Sequence, residues 1–154
     1  MKKFVKTLIE ENKISIVEPN TEVSKAYLEK SSKSLLSSKT LIKIENFNDA
    51  TALTYYSMYY SLLALLYRCG IKSENHTGSI MLLKELFKIN NKDIEKAKKE
   101  RVDKQYYIDF QSNKEEVEKA IEIAEEFNSK INEKIETIKT EEINKIRKEL
   151  KENI

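Results

Sequence analysis

The pattern of apolar and polar positions changes character several times along the chain. Phe4, Val5, Leu8 and Ile9 recur at helical spacing. Ile14-Ser15-Ile16-Val17 then alternates like an extended segment and ends at Glu18-Pro19-Asn20. A first long helix is predicted from Asn20 or Thr21. Its apolar positions are Ala26, Tyr27, Leu35, Leu36, Leu41 and Ile42, diluted by Ser31, Ser32, Ser34, Ser37 and Ser38. Such serines either permit close helix approach or face water, and a mixture is expected. From Ala52 to Tyr67 the chain is apolar or aromatic nearly all round, interrupted only by Thr54, Ser57 and Ser61. A helix without a polar face must be enclosed by other helices or by a second subunit. This segment therefore predicts the core.

The punctuation divides the rest. Asn48 or Asp49 is expected to cap the apolar helix, and Gly70 to end it. Thr77 or Ser79 is expected to cap a third helix carrying Ile80, Leu82, Leu83, Leu86 and Phe87, which stops at Ile89-Asn90-Asn91. Asp93 to Tyr107 reads as a charged helix. Ser112-Asn113-Lys114-Glu115 matches a capping box. It opens a stripe of Val117, Ala120, Ile121, Ala124, Phe127, Ile131, Ile135 and Ile138, continued less regularly by Ile143, Ile146 and Leu150. Unbroken, that last helix would be about 55 Å long, against about 30 Å for the apolar one, at a rise of about 1.5 Å per residue. Its end must project, bend at Thr137–Thr140, or pair with another chain. Packing of its stripe is expected either on Phe4, Val5, Leu8 and Ile9 or on a partner. The predicted fold is all-α: an antiparallel four-to-five-helix up-and-down bundle with a long C-terminal helix. It divides into a lead-in (1–19), the bundle (20–131) and a helical extension (132–154).

Composition supports this reading. Two Gly and one Pro in 154 residues leave few helix breakers. The length fits one domain with a sizeable core. A net charge of +2 gives no bulk signal for nucleic acid. One Cys and one His exclude an internal disulfide framework and a zinc site built from those residues. No metal or cofactor is therefore expected. The apolar run is short for a membrane span and carries five tyrosines. With no recognisable signal peptide and a lone Cys69, the expected location is the cytoplasm.

Candidate chemistry is sparse. His76 sits in Asn75-His76-Thr77-Gly78, where a loop enters a helix. Free N–H groups there favour anions, and an imidazole could touch phosphate or exchange a proton. A loop histidine bonded to a neighbouring carbonyl is the plainer alternative. Arg101, Lys104 and Gln105 fall on roughly one helical side, near Tyr106 and Tyr107. That group could bind phosphate while a ring stacks on a base, or it is simply a solvated face. Of the pairs Tyr55-Tyr56 and Tyr59-Tyr60, one member each should fill the core and the other reach a rim. No basic residue occurs between Ala50 and Tyr67, which argues against a base-stacking platform there. No Walker loop, HExxH, CxxC or Ser-His-Asp spacing is present.

Taken together, these segments resemble a HEPN domain, the higher-eukaryote-and-prokaryote nucleotide-binding fold, in its small stand-alone prokaryotic and archaeal form. Tyr55-Tyr56-Ser57-Met58-Tyr59-Tyr60-Ser61-Leu62-Leu63-Ala64-Leu65-Leu66 is similar to that family's central helix. Gly70-Ile71 and His76 resemble the junction after it. Arg101–Tyr107 resembles its Arg-containing segment, and Glu115–Phe127 its last helix. The likeness covers roughly Lys13 to Ile131. It implies a helical bundle that forms homodimers, with Tyr56, Tyr59, Tyr60 and Leu63 as the expected dimer surface. It also implies a minimal nucleotidyltransferase partner in toxin–antitoxin pairs. Many such proteins are metal-independent ribonucleases using an Arg, four to six residues, then a His. Here Tyr106 occupies the four-residue position after Arg101. Arg101 and His76 are the candidate catalytic pair, and Arg101, Lys104, Tyr106, Tyr107 and His76 the candidate RNA or nucleotide contacts. Three arrangements are compatible with the motif: a cross-helix RNA or nucleotide site, nucleotide binding without cleavage, or a non-catalytic dimeric scaffold.

Overall fold

The computed structural model describes residues 1–109 and 111–153. In chain order the elements are α1 (Lys3–Glu10), β1 (Ile14–Ile16), α2 (Thr21–Lys43), α3 (Phe47–Arg68), β2 (Ile71–Ser73), α4 (His76–Phe87), α5 (Lys92–Tyr106), α6 (Lys114–Thr137) and α7 (Thr140–Lys151). The fold is an all-α bundle, with β1 and β2 as a small antiparallel ribbon in which Ile16 pairs with Ile71.

Helix α3 is the axis. It touches α2, α4, α5, α6 and β2, which is why it carries no polar face. Its three polar interruptions serve these contacts. Thr54 bonds Ser38 on α2 (2.7 Å). Ser57 and Ser61 meet Asn128 of α6, at 3.3 and 2.8 Å.

Helix α2 packs differently from its predicted pattern. Its buried residues are Ser24, Ser31 and Ser38, while Ala26 is exposed and Leu36 is 65% exposed. The three serines recur every seventh residue and donate to α3 carbonyls in reverse order: Ser24 to Ala64 (2.8 Å), Ser31 to Ser57 (2.6 Å) and Ser38 to Ala50 (2.7 Å). Small side chains let two antiparallel backbones approach, and each hydroxyl finds an acceptor on the opposing helix. Leucine at those positions would hold the helices apart.

Five helices begin on an asparagine. Asn20, Asn46, Asn75 and Asn113 each accept from the backbone N–H three residues on, and Asn91 heads α5 without such a bond. The caps expected at Asn48 or Asp49 and at Thr77 or Ser79 therefore lie two to four residues too late, and the one expected at Ser112 lies one too early. Ser112 bonds Thr51 instead (2.8 Å).

Gly70 ends α3 in the left-handed region, with φ +71. A Cβ there would lie 1.9 Å from the Arg147 guanidinium and 2.4 Å from the Val17 carbonyl, so glycine is required by space as well as by φ.

The long C-terminal helix is two helices. The chain leaves α6 at Ile138, which is extended, and restarts at Thr140. The break folds α7 back so that Ile143, Ile146 and Leu150 join the same apolar cluster as Val5, Leu8 and Ile9. Phe4 points to the open side instead, 42% exposed. Arg147 fastens the return by donating to the carbonyls of Val17, Cys69 and Gly70. Lead-in, bundle and extension thus share one core.

Candidate functional site

Asn75 caps α4 and makes His76 its first residue. That places the imidazole beside the middle of α3. Its ring stacks on Tyr59 with centroids 3.8 Å apart, and Nδ1 lies 2.7 Å from the Tyr55 hydroxyl. From the other side, α5 brings the Arg101 guanidinium to 5.4 Å from the Tyr55 ring centre and 5.5 Å from that of Tyr56. Its Nη1 donates to the Tyr56 hydroxyl and to Gln105 Oε1, both at 3.1 Å. Arg101 and His76, from different helices, thus converge on Tyr55. Lys98, one turn before Arg101, donates to Thr77 beside His76 (2.7 Å).

The electrostatics of this cluster are one-sided. Arg101 and Lys98 form no ion pair among the described residues. Burial, and then the Arg101 and Lys98 charges, lower the pKa of His76, so the imidazole is neutral at pH 7. Burial raises the pKa of Tyr55, which keeps its proton. The Tyr55 hydroxyl and Nδ1 share this hydrogen bond in one of two ways: the phenol donates when the imidazole proton is on Nε2, and accepts when it is on Nδ1. The Nε–H of Arg101 is buried without an acceptor among the described residues. An unmet donor of this kind is unfavourable by about 1–3 kcal/mol. The arrangement is a half-buried cationic corner built on the guanidinium and the imidazole, with no carboxylate bonded to either cation among the described residues.

Lys104 turns toward α6, donating to the Gln111 carbonyl (2.9 Å) with Glu116 at 3.6 Å. It ties the end of α5 to the start of α6. Tyr106 and Tyr107 are 68% and 56% exposed at the end of α5. Tyr59 and Leu63, expected at a dimer surface, are buried in this chain's own core, because they fall on the same stripe as Tyr55. Tyr56 and Tyr60, one position round the helix, remain partly exposed. Sequence reasoning missed Tyr55 and Lys98 as site residues. The doubled tyrosines announced that one of each pair would be buried, but only the arrival of α4 and α5 decides what the buried ones touch. Cys69 is buried, its thiol pKa pushed up to about 12 by that burial, and it is not a reactive thiol. No cluster of metal-ligating side chains occurs among the described residues. No described helix is long and apolar enough to cross a membrane.

Comparison with known proteins bears on this corner. The profile of the HEPN domain family matches residues 24–135. A curated relative from Methanocaldococcus jannaschii (strain ATCC 43067 / DSM 2661 / JAL-1 / JCM 10045 / NBRC 100440), named "Putative toxin MJ0142", is 39% identical over 69 residues. The match covers 44% of this chain and 47% of that relative, so the chain spans about half of the relative's length. No solved structure matches the chain.

Proposed function

This chain belongs to the HEPN domain family, and from that premise we propose that it is the HEPN component of a toxin–antitoxin or nucleotide-linked defence pair, acting in the cytoplasm beside a minimal nucleotidyltransferase. Its ligand is an RNA or nucleotide, held by its phosphate at Arg101 and His76. The observation that carries this reading is the meeting of Arg101 and His76 on Tyr55, with no carboxylate paired to the guanidinium. A planar guanidinium stacked on aromatic rings is weakly hydrated and suited to bidentate phosphate contact. A phosphate that draws the head outward also relieves the unmet Nε–H.

The same geometry favours binding over rapid cleavage. A general base must accept the 2′-hydroxyl proton. When the phenol donates to Nδ1, Nε2 carries the proton and neither ring nitrogen is left to accept one. A neutral imidazole N–H donates a hydrogen bond but is a poor acid. Tyr106 supplies no alternative, since a phenol hydroxyl oxygen is a weak proton acceptor.

The test is fluorescence anisotropy with an end-labelled short RNA, alongside incubation in EDTA to score cleavage. Wild type binds, and Arg101→Ala weakens binding about tenfold or more, as loss of a charged hydrogen bond implies. Little RNA is cut. Equal binding by wild type and Arg101→Ala would refute the phosphate site. Fast cleavage lost in both Arg101→Ala and His76→Ala would replace the binding reading with a ribonuclease.

A further inference from the structure

Four partly exposed tyrosines form a continuous row across α2 and α3. Tyr67 stacks beside Tyr27 (5.5 Å between centroids), Tyr27 beside Tyr60 (6.0 Å), and Tyr60 beside Tyr56 (6.1 Å). Interplanar angles of 20–26° keep the rings nearly parallel. The Lys30 ammonium lies over both Tyr27 and Tyr60, 5.8 and 5.5 Å from their centres. Lys30 is itself exposed, so its head reaches both rings from the solvent side. Arg101 does the same at the far end, over Tyr55 and Tyr56. Lys30, like Arg101, has no ion-pair partner among the described residues.

We propose that this row is a base-stacking track for single-stranded RNA, running from Tyr67 through Tyr27 and Tyr60 to Tyr56 and delivering the strand to the Arg101–His76 corner. The proposal rests on the phosphate site described above and extends it. A sheltered aromatic face accepts any base, because every base has a π-face, and cations beside the rings take the backbone. Here Lys30 and Arg101 hold the place of the bases. An incoming strand displaces their heads from the ring faces onto its phosphates. The absence of basic residues within α3 does not argue against such a platform, because α2 and α5 supply them from outside. A duplex cannot use the track, since its bases are already stacked on one another.

Anisotropy with labelled oligouridine of two and eight nucleotides tests it. Wild type binds the octamer at least tenfold more tightly than the dinucleotide. The paired variant Tyr27→Ala/Tyr60→Ala lowers octamer affinity about tenfold per ring, the scale of base–aromatic stacking, and brings the octamer-to-dinucleotide ratio near one. Tyr27→Phe/Tyr60→Phe keeps the rings and retains that ratio. Lys30→Glu, a change at an exposed position that leaves the core untouched, also lowers it. An alanine pair that binds the octamer as wild type does, while Arg101→Ala does not, overturns the track and leaves the phosphate site standing. If Arg101→Ala also binds as wild type does, both fail. Sedimentation of the same proteins covers the remaining occupant: a wild-type dimer that the alanine pair converts to monomer makes the row a surface between two copies, and overturns the proposal.

Discussion

Helices α2 and α4 lie against the same axial helix with opposite chemistry. Helix α4 buries Ile80, Leu82, Leu83, Leu86 and Phe87, as its sequence pattern announces. Helix α2 buries Ser24, Ser31 and Ser38, and leaves its leucines partly or largely in solvent. The first contact is driven by removal of apolar area from water. The second is a close approach of backbones held by hydroxyl-to-carbonyl bonds, each contributing about 0.5–1.5 kcal/mol net. Hydrophobicity therefore identifies which face of α4 is buried and misidentifies that of α2.

The comparison breaks most visibly on its apolar side. A chain stopped after Lys139 loses Ile143, Ile146 and Leu150, each buried in the cluster that α4 shares. At about 1.5–3 kcal/mol per fully buried side chain, the loss rivals a domain's total stability of about 5–15 kcal/mol. Such a chain should be unfolded or melt far below the full protein in a calorimetric scan. Unchanged melting would mean that α7 contributes nothing to the core.

On the polar side the effects are smaller and of inverted logic. Ser31→Leu adds apolar volume where backbones touch, and should cost about 1–3 kcal/mol in urea titration. Leu36→Ser, which removes an apolar side chain from the same helix, should stay within about 0.5 kcal/mol of wild type. A stabilising Ser31→Leu would show that the serines are merely tolerated there.

The smallest effect concerns the histidine at the head of α4. Its folded-state pKa lies below the unfolded value of 6.5, so the unfolded chain takes up the proton first on acidification. The contribution of neutral His76 is complete above about pH 6.5 and is lost as pH falls through the lower folded-state pKa. Lys98 and Arg101 face the ring from α5, and Tyr55 and Tyr59 from α3. Urea midpoints at pH 7.5 and 5.0 should differ less in His76→Gln than in wild type. An identical difference in both would assign the acid sensitivity to carboxylates alone.

What could be read in advance follows the same division. The all-round apolar run identified α3, Gly70 identified its end, and a helix too long for the bundle left a bend before α7 as one of three outcomes. Each of those is a local pattern or a length. The serine contact was not legible, because seven-residue serine spacing means nothing until an opposing helix presents carbonyls in the matching order. The caps at Asn46, Asn75 and Asn113 were misplaced because several residues near each start could accept the same bond. His76 stood out as the one histidine, and Arg101 through the family resemblance. Their meeting on Tyr55 depends on three helices and on no spacing within any of them.

Arg147 has a kinetic meaning as well as a static one. Its guanidinium joins the Val17 carbonyl to a residue 130 positions later, and also closes over the end of α3. A ribosome makes the carbonyls long before it makes the arginine. Helices α2 and α3 can find each other early through near neighbours in sequence, while the end of the bundle where α1, the ribbon and α7 meet stays open until α7 emerges. Contacts between distant residues are slow to form. This closure therefore waits for Arg147, and a nascent segment that stops short of it presents that open apolar end to whatever first meets it.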